Sequence, residues 1–137
     1  MGNEEEFVVD LTTATAEVNA WLDHKKVKTK KRKSYEEQID NLIEAICTGQ
    51  LSMNDETFEF TQTLQFPIGK DNRDTLVYKP RVSVGAFYVH LKGVKADDVD
   101  GRIFAYVAGL TGNLVAVITK VDPEDYDICK DIAVFFL

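Results

Sequence analysis

The spacing of apolar residues changes once along this chain, near residue 57. Before that point they recur three and four apart. Ala14, Val18, Trp21 and Leu22 fall on one face of a helix for which Thr12 and Thr13 offer caps. Ile39, Leu42, Ile43 and Ile46 form a second stripe. Ser34, with Glu37 three residues on, has the form of a capping box for it, and Gly49 is its stop. A lysine-rich connector joins the two, and its residues tolerate a helix without requiring one. A short β-prone run, Phe7, Val8 and Val9, precedes both.

From Thr57 the period is two. Phe58, Phe60, Leu64 and Phe66 share one face, with Glu59, Thr61, Thr63 and Gln65 on the other. Pro67 ends this strand, residues 69–74 form a polar turn, and residues 75–79 make a second strand closed by Pro80. A hairpin with one apolar face needs helices to cover it. Three follow. The first starts at Ser83, carries Val84, Phe87, Tyr88 and Leu91 on one side, and stops at Gly93. The next opens at Asp97, Asp98 or Asp100, turns Val99, Ile103, Val107 and Leu110 inward, and stops at Gly112. After an apolar connector over 114–121, Asp122 and Pro123 start the last helix. Glu124 and Asp125 set negative charge against its dipole, and Tyr126, Cys129, Ile132, Ala133 and Phe136 face inward. The pattern predicts an α+β fold, a two-stranded antiparallel β-hairpin packed on several short helices and preceded by a helical pair. Residues 1–56 would be an N-terminal helical extension with a basic connector, and 57–137 the hairpin-plus-helices domain.

Charge sharpens this picture. The 137 residues carry a net −7, which argues against a general affinity for nucleic acid or anionic membranes. Yet Lys25, Lys26, Lys28, Lys30, Lys31, Arg32 and Lys33 supply seven of the sixteen basic residues within nine positions. The rest holds nine basic against twenty-three acidic residues, so an acidic body carries one basic strap. No aromatic residue within the strap could stack on bases, so an acidic protein, or the chain's own acidic surface, is a better partner than nucleic acid. These seven residues are candidate partner-binding positions. So are Phe135 and Leu137, which do not share the inward face of Phe136 and need the hairpin or another protein to bury against.

Catalytic chemistry is not expected. His24 and His90 stand apart from any second ligand or acid, and Asp97, Asp98 and Asp100 lack the ligand spacing of a calcium loop and read as caps. The glycines form no phosphate-cradling loop, so no metal, cofactor or enzymatic activity is anticipated. Cys47 and Cys129, far apart and without a metal motif, should be reduced and buried. The N-terminus is acidic where a signal peptide is basic and apolar, and Glu6 stands where myristoylation of Gly2 would want Ser or Thr. No apolar run reaches membrane-spanning length, so a soluble intracellular protein is expected, with no membrane partner.

Over residues 64–137 several motifs occur in a particular order. They are Leu64-Gln65-Phe66-Pro67-Ile68, then Leu76-Val77-Tyr78-Lys79-Pro80-Arg81-Val82, then a helix ending Leu110-Thr111-Gly112, then Asp122-Pro123-Glu124-Asp125-Tyr126 opening a helix that closes on aromatic residues. In this the chain resembles the tail assembly proteins of contractile-tailed phages, the P2-like and Mu-like group. The resemblance implies a hairpin followed by short helices. It also implies a chaperone in the host cytoplasm that coats the tape-measure protein, recruits tail-tube subunits and leaves before the tail is complete. Residues 1–56 extend beyond that pattern. They leave open a structural tail, baseplate or head–tail component retained in the virion. A small nucleic-acid-associated phage protein is a further alternative, resting on the strap alone.

Overall fold

Asp10, rather than Thr12 or Thr13, opens the first helix in the computed structural model, which describes residues 7–137. Its carboxylate accepts the Thr13 N–H at 2.7 Å, and α1 runs over Leu11–His24. The acidic start with Gly2 and Glu6 lies outside the described residues. Phe7, Val8 and Val9 form no strand; the N–H groups of Val8 and Val9 share the Cys47 carbonyl at the end of the third helix. Half of the basic connector winds into α2 (Thr29–Ser34), and this removes the capping box. Ser34 becomes the last residue of α2, its hydroxyl returning to the Lys30 carbonyl, and α3 (Glu36–Cys47) starts at Tyr35 without a side-chain cap.

The sheet is antiparallel and has three strands where two were expected: β1 (Leu51–Met53), β2 (Phe60–Ile68) and β3 (Arg73–Tyr78), in that order. β1 pairs Leu51 with Gln62 and Met53 with Phe60, and three residues are too few to show a period. On β2, Phe60, Gln62 and Leu64 point inward as the alternation requires. The pairing with β3 then shifts between Thr63 and Ile68. The irregularity interrupts the alternation for one step. Phe66 is 50% exposed, Ile68, in phase with Phe60 and Leu64, is buried, and Pro67 lies inside the strand instead of ending it. Phe58 lies outside β2 as well, at φ 62°, with its ring stacked on His24 at 4.2 Å.

Four helices follow: α4 (Val84–Leu91), α5 (Val99–Thr111), α6 (Val115–Ile118) and α7 (Pro123–Ala133). Asp98 caps α5 by accepting the Gly101 N–H at 2.9 Å, and Gly112 ends it at φ 70°, where a side chain would be strained. Gly109 has a different task. A Cβ there would come within 2.7 Å of the Phe87 ring, so glycine lets α4 lie directly on α5. Ile103, Val107 and Leu110 are buried as expected, whereas Val99 is exposed. The connector over 114–121 contains α6, which buries Ile118.

Asp122 caps α7 as the sequence predicts, accepting the Glu124 N–H at 2.9 Å with Pro123 behind it. Asp122→Ala should lower stability by about 0.5–2 kcal/mol at neutral pH. Urea denaturation checks this, and an unchanged midpoint would mean the cap contributes nothing.

Helices cover the sheet strand by strand: α3 lies on β1, α7 on β2 and α5 on β3, with α1 packed on α3. The core is continuous across residue 56. Trp21, Leu42 and Ile46 belong to the same cluster as Phe60, Leu110 and Ile132, so the expected N-terminal extension is built into the hairpin's own core and lends it a strand. Trp21 is the hub, with ring centroids 4.7 Å from Phe60, 5.6 Å from Phe135 and 6.2 Å from Phe136.

Candidate protein-binding surface

The strap divides into residues that serve the fold and residues that do not. Lys25 caps the end of α1, where a cation complements the helix dipole. Its ammonium sits 3.4 Å from the centroid of the Phe136 ring and donates to the Pro80 carbonyl at 3.4 Å. Burial, with Lys31 and Arg81 close by, lowers its pKa to about 8. Lys31 donates to the carbonyls of Phe135 and Leu137, at 3.2 and 3.4 Å. Arg32 donates to the Val27 carbonyl at 2.8 Å and pairs with Asp23 at 2.9 Å. Lys31 fastens the strap to residues 135–137, Lys25 to the turn before α4, and Arg32 to α1. Lys26, Lys28, Lys30 and Lys33 point outward.

Lys26, Lys28 and Lys30, with Lys25 and Lys31, rim a groove of about 550 Å³ floored by Val27, Tyr35 and Phe135. Phe135, the candidate partner-binding residue that needed the hairpin or another protein to bury against, is only 3% exposed, its ring set edge-on to those of Trp21 and Tyr35. Its side chain is core, and a partner can meet it only from the floor of the groove. Leu137, 43% exposed, remains accessible.

A second surface was not apparent in the sequence. α4 buries Phe87 alone and leaves Val84, Tyr88 and Val89 exposed. Its sequence, Val-Gly-Ala-Phe-Tyr-Val-His-Leu, is apolar nearly all round, more than one contact face can bury. That excess was the available signal. Clustered exposed apolar side chains on one helix mark an interaction face. On its inner side, Phe87 packs at 6.1 Å on Phe136, whose ring lies beneath the Lys25 ammonium.

The buried polar groups serve structure. Gln62, fully buried, donates to the Asp125 carbonyl at 2.8 Å, and the Tyr78 hydroxyl donates to Gln62 Oε1 at 2.6 Å. The Cys129 sulfur lies 3.0 Å from that hydroxyl. Burial pushes the thiol up to about 11 and Tyr78 well above its ordinary value, so both keep their protons and act as donors. Cys47 and Cys129 are free and buried, as the sequence predicts. Asp125, which lies in the first turn of α7 as its reading as a dipole charge requires, also accepts the backbone N–H groups of Gln65 and Phe66, at 2.9 and 3.0 Å.

An acidic groove lies between α3 and α7, lined by Glu44, Glu124, Asp127 and Asp131 among others. Burial pushes the Asp131 carboxyl up to about 6, against a lowering hydrogen bond from Asn41 and with Asp127 and Glu37 raising it. The folded state thus holds a proton between about pH 4 and 6 that the unfolded chain has released, and stability falls as pH rises through that window. Asp131→Asn should raise the melting temperature at pH 7.5, and the gain should vanish as the pH approaches 4. A gain that persists at pH 4 would show that the charge is not its source.

Among the described residues, no helix is long and apolar enough to cross a membrane. Comparison with protein-family models, with curated proteins and with solved structures finds no match.

Proposed function

We propose that this chain is a non-enzymatic tail assembly chaperone that binds tape-measure or tail-tube protein through its α4 face and basic groove. What supports the binding role is the exposed apolar side of α4, a helix that packs on α5 through Phe87 and leaves Val84, Tyr88 and Val89 in solvent. What supports the tail assignment is the order of parts: an antiparallel hairpin, a short helix, a helix ended by Gly112, and a terminal helix opened by Asp122 and Pro123. A second reading, a structural component kept in the particle, draws on the same helix, since stable interfaces are depleted of charge at their centre.

The test is co-purification from infected cytosol with tape-measure or tube protein, followed by mass spectrometry of purified particles. The chaperone should be recovered with its client and be missing from the particle. Stoichiometric recovery from particles would replace it with the structural reading. Val89→Asp should abolish co-purification while changing stability by no more than about 0.5 kcal/mol, because the side chain is exposed.

A further inference from the structure

Seven basic side chains in a chain of net charge −7 have ample carboxylates to pair with at home. Among the described residues, the one ion pair the strap makes is Arg32 with Asp23. The lysines around the groove instead meet carbonyls, an aromatic ring or solvent. Lys25 is crowded by the like charges of Lys31 and Arg81, a cost that an external anion would relieve.

The backbone at Lys26 points the same way. Its φ is 59°, and it ends α1 in a left-handed turn, with the Lys26 N–H bonded to the Asp23 carbonyl and the Val27 N–H to the Leu22 carbonyl, both at 3.0 Å. Glycine is the residue this position favours. A lysine held in a strained conformation at the rim of a groove suggests a use for its charge beyond the helix end.

The occupant follows from the lining. Lys26, Lys28 and Lys30 offer point charges on flexible stems, above a floor of Val27, Tyr35 and Phe135. Phosphate would leave that apolar floor unused. Of the two rings in the floor, set edge-on at 5.5 Å, Phe135 is buried and Tyr35 alone is partly open, which is no run of stacking faces for successive bases. We propose that this groove binds an acidic amphipathic segment of a partner protein, its carboxylates on the lysine rim and an apolar side chain over Val27 and Tyr35. The proposal rests on the reading of this chain as a protein-binding module and is independent of the tail assignment.

Fluorescence anisotropy of the full chain at near-physiological salt tests it. The probes are a labelled dodecapeptide repeating Glu-Glu-Leu, the same peptide with Ser in place of Leu, and a thymidine dodecamer. The leucine peptide should bind about tenfold more tightly than the serine peptide, the difference a partly buried leucine makes. Its affinity should fall about tenfold in the Lys28→Glu/Lys30→Glu double variant. Lys26→Gly should raise the melting temperature yet weaken binding, which separates loss of the charge from loss of the fold. Equal binding of the two peptides, tighter binding of the thymidine oligomer, or indifference to the double variant would overturn the proposal. Sedimentation of the chain alone gives another check: salt-sensitive self-association abolished by the double variant would assign the groove to a second copy and overturn it too. The tail reading fails separately, if no tail protein co-purifies while the leucine peptide still binds.

Discussion

Replacing Trp21 by alanine should destabilise the fold by about 3–5 kcal/mol, the loss typical of a fully enclosed large aromatic side chain. The indole meets Phe60 from the sheet and Phe135 and Phe136 from the end of the chain, with the Lys25 ammonium 5.6 Å from its centroid. The cavity left behind would be lined by other elements' rings, which have no common hinge by which to close it. Circular dichroism in urea measures the effect without needing the indole. Phe66→Ala is the matching control: that ring is on the surface, and its removal should shift stability by no more than about 0.5 kcal/mol. Equal losses at the two positions would mean that the register of β2 is wrong.

The second large effect is expected at Asp125. Its carboxylate is 1% exposed and satisfies two consecutive backbone donors where β2 leaves its ladder, so it holds the bulge in shape. Asp125→Ala removes two charge-assisted hydrogen bonds and leaves the Gln65 and Phe66 N–H groups without their partner, at a cost of about 2–4 kcal/mol. Asp125→Asn keeps one acceptor but sets an amide N–H₂ against the other donor, and should fall between. Hydrogen exchange reads the same event locally, with protection at the Gln65 and Phe66 amides lost first. Protection that survives in Asp125→Ala would show that the bulge is held by the strands alone.

The helical parts were legible wherever periodicity and punctuation agreed. Val18, Trp21 and Leu22 on α1, Leu42 and Ile46 on α3, and the Asp122-Pro123 start of α7 all lie as their spacing requires. The failures share one cause: local signals cannot see long-range pairing. Ser34 and Glu37 form a plausible box, but Ser34 closes α2 with its hydroxyl turned back to the Lys30 carbonyl. Phe66 sits in phase with Phe60 and Leu64, yet a carboxylate sixty residues away at Asp125 reshapes the backbone beneath it. Gln62, a polar residue on the inward face, was the visible hint that something polar waits inside. Within the strap, sequence identified the residues without dividing them. Lys31 and Lys30 are neighbours in a uniform run, and only the folded chain shows that one of them faces Phe135.

The Lys31 contact to the Phe135 carbonyl joins residues 104 apart. A ribosome making this chain must therefore deliver residue 135 before the indole of α1 can be sealed, and until then a helix with an open aromatic socket waits beside a row of lysines. The chain's single tryptophan is that socket, so its emission reports directly on arrival of the C-terminal aromatics. A translation-arrested series, lengthened residue by residue past Phe135, would show the moment of closure as a blue shift.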